Sequence, residues 1–179
     1  MEALTSEQAR RWCSQGFGLR ITSENLLRYK TRGRYGFMVR LPVEFRRLAV
    51  LSYDLLSFTG GHEFEGGLLW LHRWEVGVNR IIKVGWKTLE EFRRAHGSAQ
   101  SLEVAPAQGF RSDEFVDMQA FLLYTMAYEW SAYLLPRNGD FFLDIRGSGR
   151  LFCTAKSVDV REKLFEHLKI WNPTEEDSY

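Results

Sequence analysis

The sequence predicts an α+β domain, an antiparallel or mixed sheet packed by helices, and three observations carry that expectation. A hairpin followed by a second reversal is written over about residues 132–155. Two segments, 112–130 and 159–170, place apolar residues at helical spacing behind capping residues. A run from Leu68 to Val76 is bracketed by glycines at its start and alternates in the manner of a strand.

The hairpin is the clearest local signal. Asn138-Gly139 suits a two-residue type I′ turn, which needs positive φ at both central positions. Tyr133-Leu134-Leu135 and Phe141-Phe142-Leu143 flank it, so Leu134 is expected opposite Leu143 and Ala132 opposite Ile145. Arg137 and Asp140 then face each other across the turn, which leaves Asp140 and Asp144 a carboxylate pair in name only. Gly147-Ser148-Gly149 leads into Leu151-Phe152-Cys153-Thr154-Ala155. A three-residue and a two-residue loop put Phe152 on opposite faces, and the register of this third strand stays open.

The remaining elements follow from end signals. Thr5 and Gln8 form a capping box for a first helix that ends near Gly16 or Gly18. Ser23 to Tyr29 suits a short second helix or none, residues 28–34 read as a polar loop, and Tyr35 to Leu41 as a short strand. Pro42 fits the first position of a helix whose stripe is Val43, Leu48, Leu51, Leu55 and Phe58, stopped by Gly60-Gly61. Period two puts Leu68, Trp70, His72, Trp74 and Val76 on one face of the next strand. A single helix is favoured from about Asn79 to His96, ended by Gly97, over a strand at 80–85. Leu102 to Ala105 reads as a short strand with Pro106 and Gly109 in the loop behind it. Ser112 caps the long helix through Trp130, with Phe115, Met118, Leu122, Leu123, Met126 and Ala127 on its apolar side. Asp159 and Glu162 cap the last helix, which buries Leu164, Leu168 and Trp171 and stops at Pro173.

Length and composition bound the class. The chain has 179 residues, 45% hydrophobic and 26% charged, which suits one globular domain over 1–173 and an acidic, frayed tail over 174–179. Six Trp and 13 Phe can build a sizeable core without staples, and packing is the ordinary use of such aromatics. Cys13 and Cys153 stand too far apart in sequence for a metal-binding pair and form no disulfide framework. The first residues lack the basic start and apolar core of a secretory signal, and no apolar run approaches a membrane span. A cytoplasmic setting, no cofactor and no metal are expected. The net charge of +1 hides an asymmetry: residues 1–50 hold ten basic and four acidic side chains, and the remainder reverses the balance. Such a split marks an anionic partner or two halves that pair across an interior seam.

Three sets of residues are candidates for function. His62, Glu63 and Glu65 lie in a glycine-bracketed loop, and with His72 they offer the groups for proton transfer in a small hydrolase or transferase. Polar loops of this kind are more often simply solvated. Trp70 and Trp74, with His72 between them, would line a pocket for a planar ligand or, in the plainer reading, a core strand. Arg28, Lys30, Arg32 and Arg34, interleaved with Tyr29 and Tyr35, resemble a footprint for phosphate backbones. A sequence pI of 7.8 is low for that role. Phosphate-binding loops, dinucleotide fingerprints, nucleophile elbows and zinc-binding helices are all absent.

Glu65-Gly66-Gly67-Leu68-Leu69-Trp70 with Trp74, and Trp130-Ser131-Ala132-Tyr133 followed by Pro136 and Asn138-Gly139-Asp140, resemble a pattern in a group of uncharacterised bacterial proteins. The resemblance covers about residues 63–171 and implies a bacterial origin, with no activity to carry over. Asp144-Ile145-Arg146-Gly147 stands where that group shows Ser-His-Asp, so a role resting on that triplet does not transfer. The hairpin and closing helix also bear a fainter likeness to cytoplasmic immunity proteins. The sequence reading is therefore a non-enzymatic domain that binds another macromolecule, most simply a protein, in an immunity-like role. A His/Glu hydrolase or transferase and a nucleic-acid binder are its rivals.

Overall fold

The structure, a computed structural model, describes residues 1–16, 18–21, 27–29, 35–58, 64–73 and 80–175. The chain begins with β1 (Glu2–Leu4), α1 (Ser6–Gly16), β2 (Leu19–Ile21), β3 (Leu27–Tyr29), β4 (Tyr35–Arg40) and α2 (Phe45–Ser57). It continues through β5 (Gly67–Arg73), α3 (Arg80–Ala95), β6 (Ala107–Phe110), α4 (Phe115–Ala127), β7 (Ser131–Pro136), β8 (Phe141–Arg146) and β9 (Arg150–Ala155). α5 (Val158–His167), a 3₁₀ turn (Lys169–Trp171) and β10 (Thr174–Glu175) complete it. The expected α+β class is what the chain adopts. Eight strands form one sheet in the order β1-β6-β5-β7-β8-β9-β4-β10, and β2 pairs with β3 alongside. Every pairing among the described residues is antiparallel.

Strand alternation sends side chains to two separate cores. On one face Leu69, Leu71, Ala132, Leu134, Leu143, Ile145, Leu151 and Cys153 pack with Leu48, Leu51 and Leu55 of α2, Met118, Phe121 and Leu122 of α4, and Leu164 of α5. On the other, Leu68, Trp70, Tyr133, Leu135 and Phe142 meet Leu4, Ala9, Cys13, Leu19 and Leu27. β5 and β7 are thus covered on both sides over most of their length. Each buried Leu or Phe contributes about 1.5–3 kcal/mol relative to exposure.

Local chemistry explains where the elements begin and end. The capping box forms as expected: Thr5 Oγ1 accepts from Gln8 N at 3.3 Å, and Gln8 Oε1 accepts from Thr5 N at 2.7 Å. The helix expected near Asn79 to His96 is α3, with Gly97 at φ +85° beyond it. The expected pairs Leu134–Leu143 and Ala132–Ile145 are both in place. Gly147-Ser148-Gly149 closes as a three-residue turn, with Gly149 at φ +76°, so Phe152 lies opposite Asp144.

Several expectations are corrected. Asn138 does not take a positive φ, while Gly139 takes +68° and its N–H bonds to Pro136 O, so the turn is not type I′. Residues 27–29 form a strand, not a helix, because Leu27 pairs with Ile21 and buries its side chain. α2 starts at Phe45 instead of Pro42; its first bond runs from Leu48 N to Glu44 O, and Val43 is 99% exposed. Gly60-Gly61 lies outside the described residues. α4 starts after Glu114 instead of Ser112, because Glu114 closes a turn with Arg111 through both backbone and carboxylate. It ends at Ala127, and Glu129 at φ +55° reverses the chain before Trp130 enters the core.

Residues 102–105 are not a strand; the strand is β6, which contains Gly109. Buried Arg93 is the physical reason. Its Nη2 donates to Ala105 O and its Nε to Gln108 Oε1, while Glu90 accepts from Leu102 N, so side chains of α3 take the place of strand partners. Ser157, not Asp159, caps α5 by accepting from Val160 N. Leu164, Leu168 and Trp171 are buried as expected, and Trp171 Nε1 donates to Asp54 Oδ2 at 2.9 Å. Thr174 and Glu175, read as the start of a tail, pair with Met38 and Phe37.

A Cβ placed on Gly147 would lie 2.1 Å from the Glu129 carbonyl oxygen, while one on Gly109 meets nothing closer than 3.7 Å. Gly147→Ala is therefore expected to destabilise the fold by about 2–3 kcal/mol. Gly109→Ala should stay within about 0.5 kcal/mol, both read from urea unfolding midpoints.

Candidate functional site

Covering of the second sheet face thins beyond Phe142, and a polar cluster stands there. β5, β7, β8 and β9 contribute His72, Tyr133, Asp144, Arg146 and Phe152, which alternation places on the same side. His72 falls where the β5–β7 register shifts, between the Leu71–Ala132 and Arg73–Ser131 pairs. A β-bulge re-aims the side chain it carries. The His72 ring stacks on the Tyr133 ring at 4.3 Å, tilted by 25°, and its side chain is 26% exposed.

Asp144 is the centre of the cluster. Its side chain is 9% exposed, and its Oδ2 accepts from Arg146 Nε at 3.0 Å and meets Arg146 Nη2 at 3.0 Å. Its Oδ1 is buried with no hydrogen-bond partner, and His72 Nε2 stands 3.5 Å away. A buried carboxylate oxygen left unpaired costs free energy, so this one is set to receive a donor. The Arg146 guanidinium lies 4.1 Å over the Phe152 ring, which fixes its plane. Tyr133 Oη accepts from Leu27 N at 3.3 Å. Burial, and after it the Asp144 charge, push the Tyr133 phenol up to about 12.

A line of arginines borders this cluster. Arg146 on β8 lies directly opposite Arg150 on β9, and Arg150 lies directly opposite Arg40 on β4. All three are exposed and share the face of Asp144. Strand spacing sets the line at about 10 Å from first to last. Like charges in directly opposed positions destabilise a sheet. Asp144 offsets the charge of Arg146; among the described residues Arg40 and Arg150 have no carboxylate in contact. Phe152 and Met38, both half-buried, form the next row inward.

The residues singled out from the sequence fare unevenly. His62, Glu63, Trp74, Lys30, Arg32 and Arg34 lie outside the described residues. Glu65 precedes β5 and His72 sits near its far end, so about 17 Å of strand separates them and they do not converge. Trp70 is a core side chain, 5% exposed and edge-on to Tyr133, and lines no open pocket. Arg28 is half-buried on β3, opposite Arg20. Asp144, dismissed from the sequence, is the group the others gather around, and Arg40, Arg146 and Arg150 were missed. The signal for them was the turn length, since a three-residue loop puts Arg146 against Arg150.

Among the described residues, no group of three or more His, Cys, Asp or Glu could hold a metal ion. No helix there is long and apolar enough to cross a membrane. The chain matches no protein-family model, no curated protein and no solved structure.

Removing Arg146 would strand a buried carboxylate. Arg146→Met is expected to cost about 1–3 kcal/mol, and Asp144→Asn in the same chain to recover most of it, in a double-mutant cycle read by urea unfolding. The raised Tyr133 phenol stabilises the fold fully below pH 10, and that contribution fades as pH climbs towards 12. Tyr133→Phe should remove this part of the alkaline sensitivity, measured as unfolding midpoint against pH.

Proposed function

We propose that this protein is a non-enzymatic binding protein whose partner is a macromolecule presenting a line of negative charge. The observation that carries the reading is the register Arg146–Arg150–Arg40. Three arginines in register put like charges on one face with only Arg146 matched by a carboxylate, and anionic groups lying across the row relieve the other two. The line is straight and spans three strands, which suits an extended polyanion better than a single compact phosphate. Phe152 and Met38 behind it supply apolar contact area.

Two kinds of partner meet this description. An acidic protein surface is one, since Arg is enriched at protein interfaces. Phosphate backbones are the other, with the arginine line as a contact surface for them. A hydrolase or transferase would use the His72–Asp144 pair. The arginine row favours binding over that alternative, because proton transfer does not need a row of like charges.

The test measures binding of labelled poly-glutamate and a labelled single-stranded oligothymidine by anisotropy across a salt series. Binding to either at low salt is expected, with the more tightly bound probe naming the partner class. For the oligonucleotide, the slope of log K against log salt should flatten by about 1.4 in Arg40→Ala/Arg150→Ala, at about 0.7 per lost contact. Binding to neither probe, or a slope untouched by the double substitution, removes the reading.

A further inference from the structure

α2 and α4 pack antiparallel on the first sheet face. Gln119 Nε2 donates to Ala49 O at 3.4 Å, while the Tyr53 and Phe115 rings meet edge-on at 5.8 Å, so advancing along α2 means retreating along α4. The inner sides of both helices are filled by Leu48, Leu51, Leu55, Met118, Phe121 and Leu122. Their outer sides are unusual. Val50 and Tyr53 on α2 are each 52% exposed and Val116 on α4 is 73% exposed. Ala120 and Leu123 continue the α4 row at helical spacing, half-buried. Thirteen residues of α4 carry one charge, Asp117. A helix apolar around its circumference belongs to an interior, and the outer row of this one faces outward.

Charge tells what covers it. At the start of α2, Arg46 and Arg47 stand exposed at one end of the strip. Just before α4, beside the end of α2, exposed Asp113 stands at the other. Because the helices are antiparallel, a two-fold axis through the middle of the strip lays the basic end of one copy on the acidic end of the next. Val50, Tyr53 and Val116 then meet their counterparts at the centre. Such self-complementarity is the signature of an isologous interface. We infer that the α2–α4 face is a homodimer interface, occupied by a second copy of this chain. Two of the rim charges also have a local contact, Arg47 with the Trp171 ring and Asp113 with Arg111. The rim therefore sets register, and the apolar centre supplies the affinity. This face lies across the sheet from the arginine line, and a dimer presents two such lines.

Sedimentation velocity of the full chain over a concentration series tests the inference. A dimer is expected, dissociating at least about tenfold more readily in Val116→Glu, with an unchanged thermal unfolding midpoint at dilution showing that the fold is intact. Arg46→Glu alone and Asp113→Lys alone should each weaken self-association at low salt, and an equimolar mixture of the two should restore it. In that mixture every rim contact again pairs opposite charges. A monomer at all concentrations up to about 100 μM overturns the inference. So does a dimer indifferent to Val116→Glu, or a mixture no tighter than its components.

Discussion

Burial of β5 and β7 on both faces is the constraint on which the architecture depends. Leu69, Leu71 and Leu134 look towards α2 and α4, while Leu68, Trp70 and Tyr133 look towards α1 and the β2–β3 pair. Neither layer of cover is dispensable, because a slip of one residue would exchange the two sets. The helical layer runs the width of the sheet as far as α5. The second layer reaches Phe142 of β8 and is narrower. Past that boundary the same strand alternation delivers Asp144, Arg146 and Phe152 to a face with less to bury them. The polar cluster is a consequence of unequal cover on one sheet.

The carboxylate of Asp144 links the cluster to the arginine line. One oxygen holds Arg146 against the Phe152 ring, and the other is left facing His72. Arg146 is therefore fixed in place with its charge matched, while Arg150 and Arg40 lie beside it without such a neighbour. Three-residue closure at Gly147–Gly149 sets this register, and Gly147 N–H donates to Ser131 Oγ at 3.1 Å. The turn that shapes the site is thus tied to the start of β7, and the Glu129 carbonyl lies where a side chain on Gly147 would stand.

Elements with strong periodicity were legible in the sequence. The meander, the β5 alternation, the Thr5–Gln8 cap and the buried side of the closing helix all follow from spacing and capping chemistry. Boundaries were less so, because tertiary contacts moved them: Glu114 turned back on Arg111, and Arg93 captured the carbonyl of Ala105. The site was nearly invisible. Arg40 and Arg150 are 110 positions apart in sequence and meet only through strand order, and the face of Phe152 depended on one ambiguous loop. His72 is the one member that the sequence singles out, with the 62–65 loop or the flanking tryptophans, and not with the Asp144 it faces.

Strand order also governs the rim of the sheet. β1, with three residues, and β10, with two, form its opposite edges. Stubs this short offer little backbone for a neighbouring chain to zip onto, which protects a wide sheet from edge-to-edge aggregation. Seven interstrand gaps separate them, roughly 34 Å before twist is considered. A circularly permuted version would need a tether of at least about ten extended residues to join the two margins. Shorter tethers would peel one margin away and leave β4 or β6 as the raw edge.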